Sequence, residues 1–230
     1  MVKGLVIIPA YNEEKSIARA VSDVRSCAEG FDVVVINDCS EDRTADECKS
    51  AGAAVIDLPV HRGIGGAMQA GYRYAAENEY GVAVQVDGDR QHDPSFIDMM
   101  YDLLVSEKAD MVIGSRFVEK KGYQSSFARR CGIRYFSWLI RLLTGKKITD
   151  PTSGFRMVNS RVLKMFAEDY PKDYPEPETL VHLLKKGMKV IEAPVVMRPR
   201  KTGHSSIRYM WAVYYMVKVT AAVIQQGFSG

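Results

Sequence analysis

The segment "GVAVQVDGDRQHDP", residues 81–94, joins an apolar run to a cluster of acids. The run is typical of a strand buried on both faces, and Asp87 and Asp89 follow it two positions apart. Two carboxylates this close repel each other, and a plain turn needs only one Asp-Gly pair. Two interpretations are therefore open: a surface turn, or a site at which a divalent cation lies between the carboxylates.

Four further segments have the same buried-strand character, and helical patterns separate them. They are "GLVIIP", "DVVVIND", "AAVIDLP" and "ADMVIGSRF". Strands that alternate with helices in this way predict a doubly wound, largely parallel α/β sheet. Ligands of such sheets bind beyond the carboxyl ends of the strands, and Asp38, Asp87 and Arg116 fall at those ends.

Two helix starts are predicted from capping patterns. Asn12 is an expected N-cap, because acids and apolar residues at helical spacing follow it. Pro94 is typical of the first turn of a helix. We expect His92 to cap that second helix rather than to hydrogen-bond to the neighbouring acids.

The composition is that of an ordinary globular protein. Of 230 residues, 47% are hydrophobic and 26% are charged, which fits one large α/β domain or a domain with a small appendage. The first residues carry too few apolar side chains for a signal or membrane-spanning helix. The four cysteines lack the spacing of a disulfide framework or a zinc site, so we expect reduced, mostly structural thiols in a cytoplasmic protein.

The positive charge is concentrated in the second half of the chain. Residues 116–147 hold nine Lys or Arg against one acid, and no acid follows Glu192. This segregation predicts an anionic partner, such as phosphate groups or an anionic membrane surface, and a solvated basic surface is the alternative. We expect no nucleic-acid partner, because the basic residues form no recognised reading motif.

Two common nucleotide sites are disfavoured by the turns of the predicted sheet. The first strand is followed by "PAYNEE", which has no glycine and therefore no dinucleotide fingerprint. The segment "HRGIGGAMQ" has glycines but lacks the Gly-Lys-Ser/Thr of a P-loop. Its glycines still permit close approach of a phosphate or a base, and a tight strand–helix turn is the alternative.

Five motifs, taken together, resemble family-two glycosyltransferases. "PAYNEE", "INDCSEDRT", "DGDRQHDP", "GSRF" and "DPTSGFR" occur in the order and at the spacing of that family. The resemblance is closest to the dolichol-phosphate mannose and polyprenyl-phosphate glucose synthases. It implies a GT-A fold, in which helices flank a Rossmann-like, mixed but mostly parallel sheet. It also implies inverting transfer from a UDP- or GDP-sugar.

The resemblance also implies the residues that bind the donor. Asp89 is the expected ligand of Mg²⁺ or Mn²⁺, with Gln91 as a further ligand, and oxygen donors suit both ions. An aromatic ring such as Tyr11 can stack on a base. The implied nucleotide-sugar-binding residues are Pro9, Ala10, Tyr11, Glu13, Ile36, Asp38, Asp87, Gly88 and Asp89.

The same resemblance assigns the acceptor side. Guanidinium groups match phosphate oxygens well. The implied contacts to the acceptor phosphate are Arg116, Arg130, Arg200 and Ser205, and the implied catalytic residues are Asp87, Asp89, Arg116 and Arg200. The chain departs from the mannose synthases at Ser206, where they carry a lysine.

Two classes of acceptor remain open. A polyprenyl phosphate already carries an anionic oxygen, so it needs positioning but no general base. A sugar hydroxyl, as in cell-wall or surface polysaccharide synthesis, needs a base, and Glu176 and Glu178 are the candidates. The alternative for these two acids is the first turn of a helix marked by prolines. We favour the polyprenyl phosphate.

Two segments predict contact with a membrane surface. In residues 116–147, Ile133, Phe136, Ile140 and Leu143 recur at helical spacing and are expected to face lipid, or else to pack on protein. The tail from residue 207 to 228 is apolar with interfacial aromatics. We therefore predict a GT-A domain over residues 1–204 and a C-terminal amphipathic helix over 205–230. We expect this protein at the inner face of the membrane, with a small membrane-spanning partner or a homo-oligomer as open possibilities.

Overall fold

One mixed sheet forms the centre of the molecule. The structure, a computed structural model, describes residues 3–119, 127–173, 175–198 and 209–228, with the side chains of the last range given from 216 to 227. The strands run in the order β3-β2-β1-β4-β6-β5-β7, and β6 is antiparallel to both of its neighbours. The strands are β1 (Gly4–Ala10), β2 (Phe31–Asn37), β3 (Ala54–Asp57), β4 (Val82–Gln85), β5 (Met111–Ser115), β6 (Arg156–Asn159) and β7 (Val190–Pro194).

Helices cover both faces of this sheet. They are α1 (Ile17–Cys27), α2 (Thr44–Ser50), α3 (Gly63–Glu77), α4 (Ile97–Ser106), α5 (Phe127–Thr144), α6 (Ser160–Glu168), α7 (Pro175–Lys185) and α8 (Tyr209–Phe228). A single 3₁₀ turn, Pro94–Phe96, precedes α4. The predicted mixed, mostly parallel sheet with flanking helices and a C-terminal helix is confirmed.

The central strands are apolar without interruption because each side of the sheet has its own core. In β1, Leu5 and Ile7 pack into the core formed with α3, α5, α6, α7 and α8. Val6 and Ile8 point the other way, into the core formed with α1 and α4. Successive side chains of a strand face opposite sides, so covering both sides removes the polar alternation of a half-exposed sheet.

The antiparallel strand brings a second set of loops to the ligand-binding edge. The parallel strands β1, β2, β4 and β5 all end at one edge of the sheet. Because β6 runs the other way, it begins at that edge, with Arg156 beside the end of β4. The segment "DPTSGFR", residues 150–156, therefore lies next to the residues that follow the parallel strands.

Asn12 does not cap a helix, and that prediction was wrong. Helix α1 begins at Ile17, and Asn12 has a left-handed backbone with φ 53°. The Asn12 amide accepts a hydrogen bond from the Glu41 nitrogen (2.9 Å), and its own N–H donates to the Ser40 hydroxyl (3.0 Å). It joins the loop after β1 to the loop after β2, which sequence spacing cannot reveal.

The apolar stripe of α5 faces protein rather than lipid, which is the second of the two alternatives that the sequence left open. Ile133, Phe136 and Ile140 are buried in the core because α7 and α8 pack on that side of the helix. The outward face of α5 instead exposes Trp138 (58%) and Leu142 (66%).

Helix α8 packs into the same core as the sheet. Val219 and Val223 are buried, and the Tyr135 hydroxyl of α5 lies 3.2 Å from the Thr220 hydroxyl. Val217 and Ile224 point outward. Within the described ranges, no helix has the length and apolar character needed to cross a membrane. The predicted domain boundary at residue 204 lies outside the described residues.

Candidate active site

His92 holds the loop that follows β4. The Asp87 N–H donates to His92 Nδ1 (3.0 Å), and Gln85 Nε2 donates to Asp87 Oδ1 (3.1 Å). The His92 ring is buried and stacks on Phe155, with ring centroids 4.9 Å apart. The prediction that His92 caps the next helix was therefore wrong.

The cap of the 3₁₀ turn before α4 is Asp93. Its Oδ1 accepts from the Ser95 N–H (3.1 Å) and from the Ser95 hydroxyl (2.8 Å). Partial burial would raise the pKa of Asp93, but the Ser95 hydrogen bonds and the Arg198 charge outweigh burial and lower it.

Asp89 takes part in a local turn and is also accessible at the edge of the sheet. Its Oδ1 accepts from the Gln91 N–H at 2.9 Å, which is the geometry of an Asx turn. Asp87, Asp89 and Gln91 are all partly exposed. The two interpretations of the acidic pair are therefore compatible, because the turn presents carboxylate and amide oxygens at one place.

These oxygens fit a hard divalent cation that is shared with a substrate. Magnesium is commonly held by one or two carboxylates together with substrate phosphates. Across the part of the chain that the structure describes, no three His, Cys, Asp or Glu side chains form a complete metal cage. The residues present suit Mg²⁺ or Mn²⁺ only if phosphate oxygens supply the remaining ligands.

Asp38 fixes the start of α3. It is buried, and its two oxygens accept from the Arg62 N–H (2.7 Å) and the Gly63 N–H (2.8 Å). His61 Nδ1 lies 2.9 Å from Asp38 Oδ2, and the His61 ring packs at 4.2 Å from the Tyr11 ring. Tyr11 is 44% exposed, so the ring pair forms an open aromatic surface at the ligand edge.

The other residues predicted to bind the donor lie at or beside the carboxyl ends of β1, β2 and β4. Pro9 and Ala10 end β1, Ile36 is buried in β2, and Gly88 is buried between the two acids. Glu13 accepts from the Ser16 hydroxyl (2.6 Å), and its N–H donates to Thr44 Oγ1 (2.8 Å). Sequence reasoning missed His61, although it had singled out the glycine-rich segment that His61 begins.

Arg116 is buried against Asp150. Its Nε and one terminal nitrogen donate to the two Asp150 oxygens, each at 2.7 Å, and that terminal nitrogen also reaches the Thr152 hydroxyl at 3.2 Å. Asp150 is fully buried, and Glu192 holds its main chain through the Asp150 N–H (2.8 Å). Asp150 was not assigned a role from the sequence, although it begins the "DPTSGFR" motif.

A cavity of about 750 Å³ opens between the end of β5 and the start of α5. Arg130, Arg134 and Lys147 supply positive charge to its lining, whereas Phe117 and Phe127 supply apolar surface. Of the predicted phosphate contacts, Arg130 lines this cavity, and Arg116 precedes the lining residue Phe117. Arg200, Ser205 and Ser206 lie outside the described residues.

The two candidate bases, Glu176 and Glu178, lie in different environments. Burial raises the pKa of Glu176, the nearby Arg156 charge opposes this shift, and the Asp87 carboxylate adds to it. Glu176 is thus near enough to Asp87 to be influenced by its charge, and Arg156 donates to the Glu176 main-chain carbonyl (2.8 Å). Burial also raises the pKa of Glu178, but this side chain faces α8, where Gln226 Nε2 lies 3.5 Å away.

A mostly parallel sheet with carboxylates at its carboxyl edge is typical of nucleotide-binding α/β enzymes. Residues 5–166 match the family described as Glycosyl transferase family 2, and the chain belongs to that family.

Related proteins support the branch that the motifs predicted. The undecaprenyl-phosphate mannosyltransferase of Micrococcus luteus is 30% identical over 212 residues, which cover 88% of this chain and 86% of that protein. The polyprenol monophosphomannose synthase of Mycolicibacterium smegmatis is 29% identical over 89% of this chain and 81% of its own length. The resemblance to the polyprenyl-phosphate branch of the family is confirmed.

A solved structure confirms the fold. The glucosyl-3-phosphoglycerate synthase of Mycobacterium tuberculosis, in complex with Mn²⁺, UDP and glucosyl-3-phosphoglycerate, superposes with a TM-score of 0.73. The match covers 98% of this chain and 80% of the other, at 18% identity. The predicted GT-A fold is therefore correct, whereas the ligands named belong to that protein.

Proposed function

We propose that this protein transfers a hexose, with inversion, from a UDP- or GDP-sugar to a polyprenyl phosphate. The observation that carries the proposal is the cavity beside Arg116, because its lining combines cations with aromatic and aliphatic side chains. A polyprenyl phosphate has the same two parts, an anionic head group and an apolar chain. The apolar side chains would contact the isoprenoid chain, which a sugar acceptor lacks.

The donor is proposed to bind at the carboxyl edge of the sheet. Tyr11 supplies a ring on which the base can stack. His61 packs beside this ring and contacts Asp38. Asp89 and Gln91 are proposed to hold Mg²⁺ or Mn²⁺, which would neutralise the charge that develops on the departing nucleoside diphosphate. Asp87, clamped by Gln85 and His92, is proposed to orient the ribose and the diphosphate.

The acceptor phosphate is proposed to lie between the cavity and the donor. Arg130, Arg134 and Lys147 attract it, and the buried pair of Arg116 and Asp150 lies next in the chain to the lining residues Phe117 and Thr149. A phosphate oxygen then forms a bond to the anomeric carbon while the bond from that carbon to the diphosphate breaks on the opposite face. The oxygen is already anionic at neutral pH, so no protein group has to remove a proton.

Relatives of this chain support a lipid-phosphate acceptor. The two mannosyltransferases described above are named for undecaprenyl phosphate and polyprenol phosphate. A third relative, from Methanococcus voltae, is named for transfer of N-acetylglucosamine from UDP to dolichyl phosphate and is 28% identical, with 83% of each chain covered. The sugars in these names differ, mannose in two and N-acetylglucosamine in the third, so a panel of donors is needed to identify the sugar and the nucleotide.

Attachment to the inner face of the membrane is part of the proposal. Phe127, Trp138 and Leu142 of α5 are exposed beside Arg134 and Arg141, the combination found on helices that lie in a membrane interface. On α8, Val217 and Ile224 are exposed as well. This surface would place the cavity opening close to the head groups of the lipid acceptor.

A sugar-to-sugar transferase is the second candidate, and the position of Glu176 favours it. Glu176 is close to Asp87 and belongs to the first turn of α7. A base at this place could take the proton of an incoming hydroxyl. Burial raises the pKa of Glu176, and a higher pKa makes the ionised carboxylate a stronger base.

A donor panel tests the proposal. UDP-, GDP- and dTDP-hexoses are incubated with a short polyprenyl phosphate and Mg²⁺ or Mn²⁺, and lipid-linked sugar is measured by mass spectrometry. We expect product with one class of donor and loss of product in EDTA. Transfer to an oligosaccharide but never to the lipid phosphate would support the second candidate and refute the first.

A further inference from the structure

Four charged side chains meet on the outer side of the loop that carries the acidic pair. Asp23 of α1 accepts from two nitrogens of Arg90, at 2.9 and 2.8 Å, and from Arg198 at 3.4 Å. Arg198 also reaches Asp93 at 2.8 Å. The cluster, which we call the loop clamp, joins α1 and the segment after β7 to residues 89–93.

The loop clamp is attached to the loop at Arg90 and Asp93, close in the chain to both proposed metal ligands. Arg90 lies between Asp89 and Gln91 in the chain, and its backbone has φ 65°, a conformation that side chains other than glycine rarely adopt. Such a backbone persists only when its surroundings hold it. The Arg90 guanidinium donates two hydrogen bonds to Asp23, and these restrain the residue from its side chain.

A main-chain connection reinforces the same loop. The Arg198 N–H donates to the Gln91 carbonyl at 2.9 Å, so the segment after β7 is attached to the loop by backbone and side chain together. The four side chains of the loop clamp are 20% to 39% exposed. Partly exposed ion pairs contribute little to the stability of a fold, so their expected effect is on the local shape of the loop.

We propose that Asp23 and Arg198 are positioning residues that set the metal-binding shape of residues 89–93. The inference rests on the donor and metal site proposed above. Without Asp23, the Arg90 and Arg198 guanidinium groups would face each other as like charges. Arg90 would then turn away and its backbone would relax, which would shift Asp89 and Gln91 apart.

The test measures Mn²⁺ binding by electron paramagnetic resonance, with saturating UDP and, in a second series, with GDP. We expect Asp23→Asn and Arg198→Gln each to weaken Mn²⁺ binding by about tenfold or more, at the lower end of the range seen when partners of metal ligands are removed. The KM for the donor should rise, whereas kcat at saturating donor and metal should change less than twofold.

The matched control is the ion pair at the opposite end of β7. Lys189 and Glu107 are 3.0 Å apart and more exposed, at 48% and 54%, and they lie at the amino end of the strand, away from the loop. Glu107→Gln should leave Mn²⁺ binding unchanged. A loss in this variant equal to that in Asp23→Asn would overturn the proposal, because any surface ion pair would then have the same effect.

Substitution of Arg90 tests the proposed route. Both Arg90→Ala and Arg90→Gly remove the side chain, but glycine adopts positive φ without strain. We expect Arg90→Gly to bind Mn²⁺ more tightly than Arg90→Ala. Equal binding of the two would contradict a role of the backbone conformation.

Asp89→Ala separates the two proposals. If Asp89→Ala still binds Mn²⁺ with the nucleotide, the proposed metal site itself is wrong. If Asp89→Ala loses the ion while Asp23→Asn, folded by circular dichroism, binds within twofold of the wild type, only the inference about the loop clamp fails.

Discussion

One imidazole ring holds Asp87 at two points. His92 Nδ1 accepts the Asp87 N–H at 3.0 Å, while Nε2 of the same ring lies 3.5 Å from Asp87 Oδ2. Because Nδ1 accepts a main-chain hydrogen, the proton of the neutral ring is on Nε2, facing the carboxylate. The ring is buried and stacked on Phe155, so the position of Asp87 depends on a residue that need not touch the substrate.

His92→Ala is expected to lower kcat/KM for the donor by about tenfold or more, or about 1.4 kcal/mol, because Asp87 loses a main-chain and a side-chain restraint. Steady-state kinetics with varied donor would measure this. The control is His182→Ala. His182 lies on α7, where its Nδ1 is 3.2 Å from the side-chain oxygen of Gln226 on α8. An unchanged kcat/KM in folded His92→Ala would contradict the role.

Asp89→Ala is expected to reduce transfer by about 100-fold or more, because the proposed Mg²⁺ or Mn²⁺ loses its carboxylate ligand. Calorimetric titration of the nucleotide should show that metal-dependent affinity is lost with it. Circular dichroism should show an unchanged fold, since Asp89 is partly exposed. Full activity of the wild type in EDTA would exclude the metal.

Glu176→Gln is expected to keep activity within about tenfold, or about 1.4 kcal/mol of barrier, because an anionic phosphate acceptor needs no base. Single-turnover rates with a polyprenyl phosphate would measure it. Glu178→Gln is the matched control, as Glu178 faces α8. A loss of about 10²–10⁴, typical of a missing acid or base, confined to Glu176→Gln would favour the sugar-hydroxyl acceptor.

The raised pKa of Glu176 also predicts how stability depends on pH. A carboxyl whose pKa is higher in the folded state binds its proton more tightly there. Its stabilising contribution is complete below the unfolded pKa of about 4.5 and is lost as pH rises through the folded pKa. Thermal unfolding should therefore show Glu176→Gln gaining melting temperature over the wild type as pH rises above about 4.5. A constant difference would contradict the shift.

Removing the outward side chains of α5 should weaken membrane attachment. Trp138→Ser with Leu142→Ser takes exposed apolar surface away without opening the core, and we expect flotation with anionic liposomes to fall severalfold. Flotation should also fall with salt, because each cation near the surface contributes about 1 kcal/mol. The control pair is Val60→Ser with Val105→Ser, which alters exposed valines elsewhere. Equal losses in both pairs would refute the proposed surface.

Truncation before α8 is a poor test of membrane binding. Val219 and Val223 are part of the main core, so a shortened chain would expose apolar surface for reasons unrelated to lipid. Surface substitutions on α5 avoid this difficulty.

The first half of the fold was predictable because its strands are apolar on both faces and end in short polar turns. Strand β6, "RMVN", was not predictable, since four residues beginning with a buried arginine carry no strand pattern. Its antiparallel direction follows from pairing with β4 and β5, which is a long-range property. The partner of the stripe on α5 stayed open for a related reason: helical spacing shows that a face is apolar but not whether protein or lipid covers it.

The acidic pair was predictable as a candidate site because Asp87 and Asp89 directly follow a strand. Asp150, His61 and Asp23 were missed because each acts through a residue distant in sequence. Asp150 binds Arg116, 34 positions away, and Asp23 binds Arg90, 67 positions away. The five motifs of the resemblance indicated where the site lies, but they carry no record of these partners.

The basic and apolar cavity also contains a cysteine that can be labelled. Cys131 lines it and is exposed, whereas Cys48 is buried and burial raises its pKa to about 12, which makes its thiol unreactive at neutral pH. In a variant that carries both Cys27→Ser and Cys39→Ser, a maleimide would distinguish these two thiols. The factor by which a bound isoprenoid slows alkylation of Cys131 would then report occupancy of the cavity directly, without any transfer of sugar.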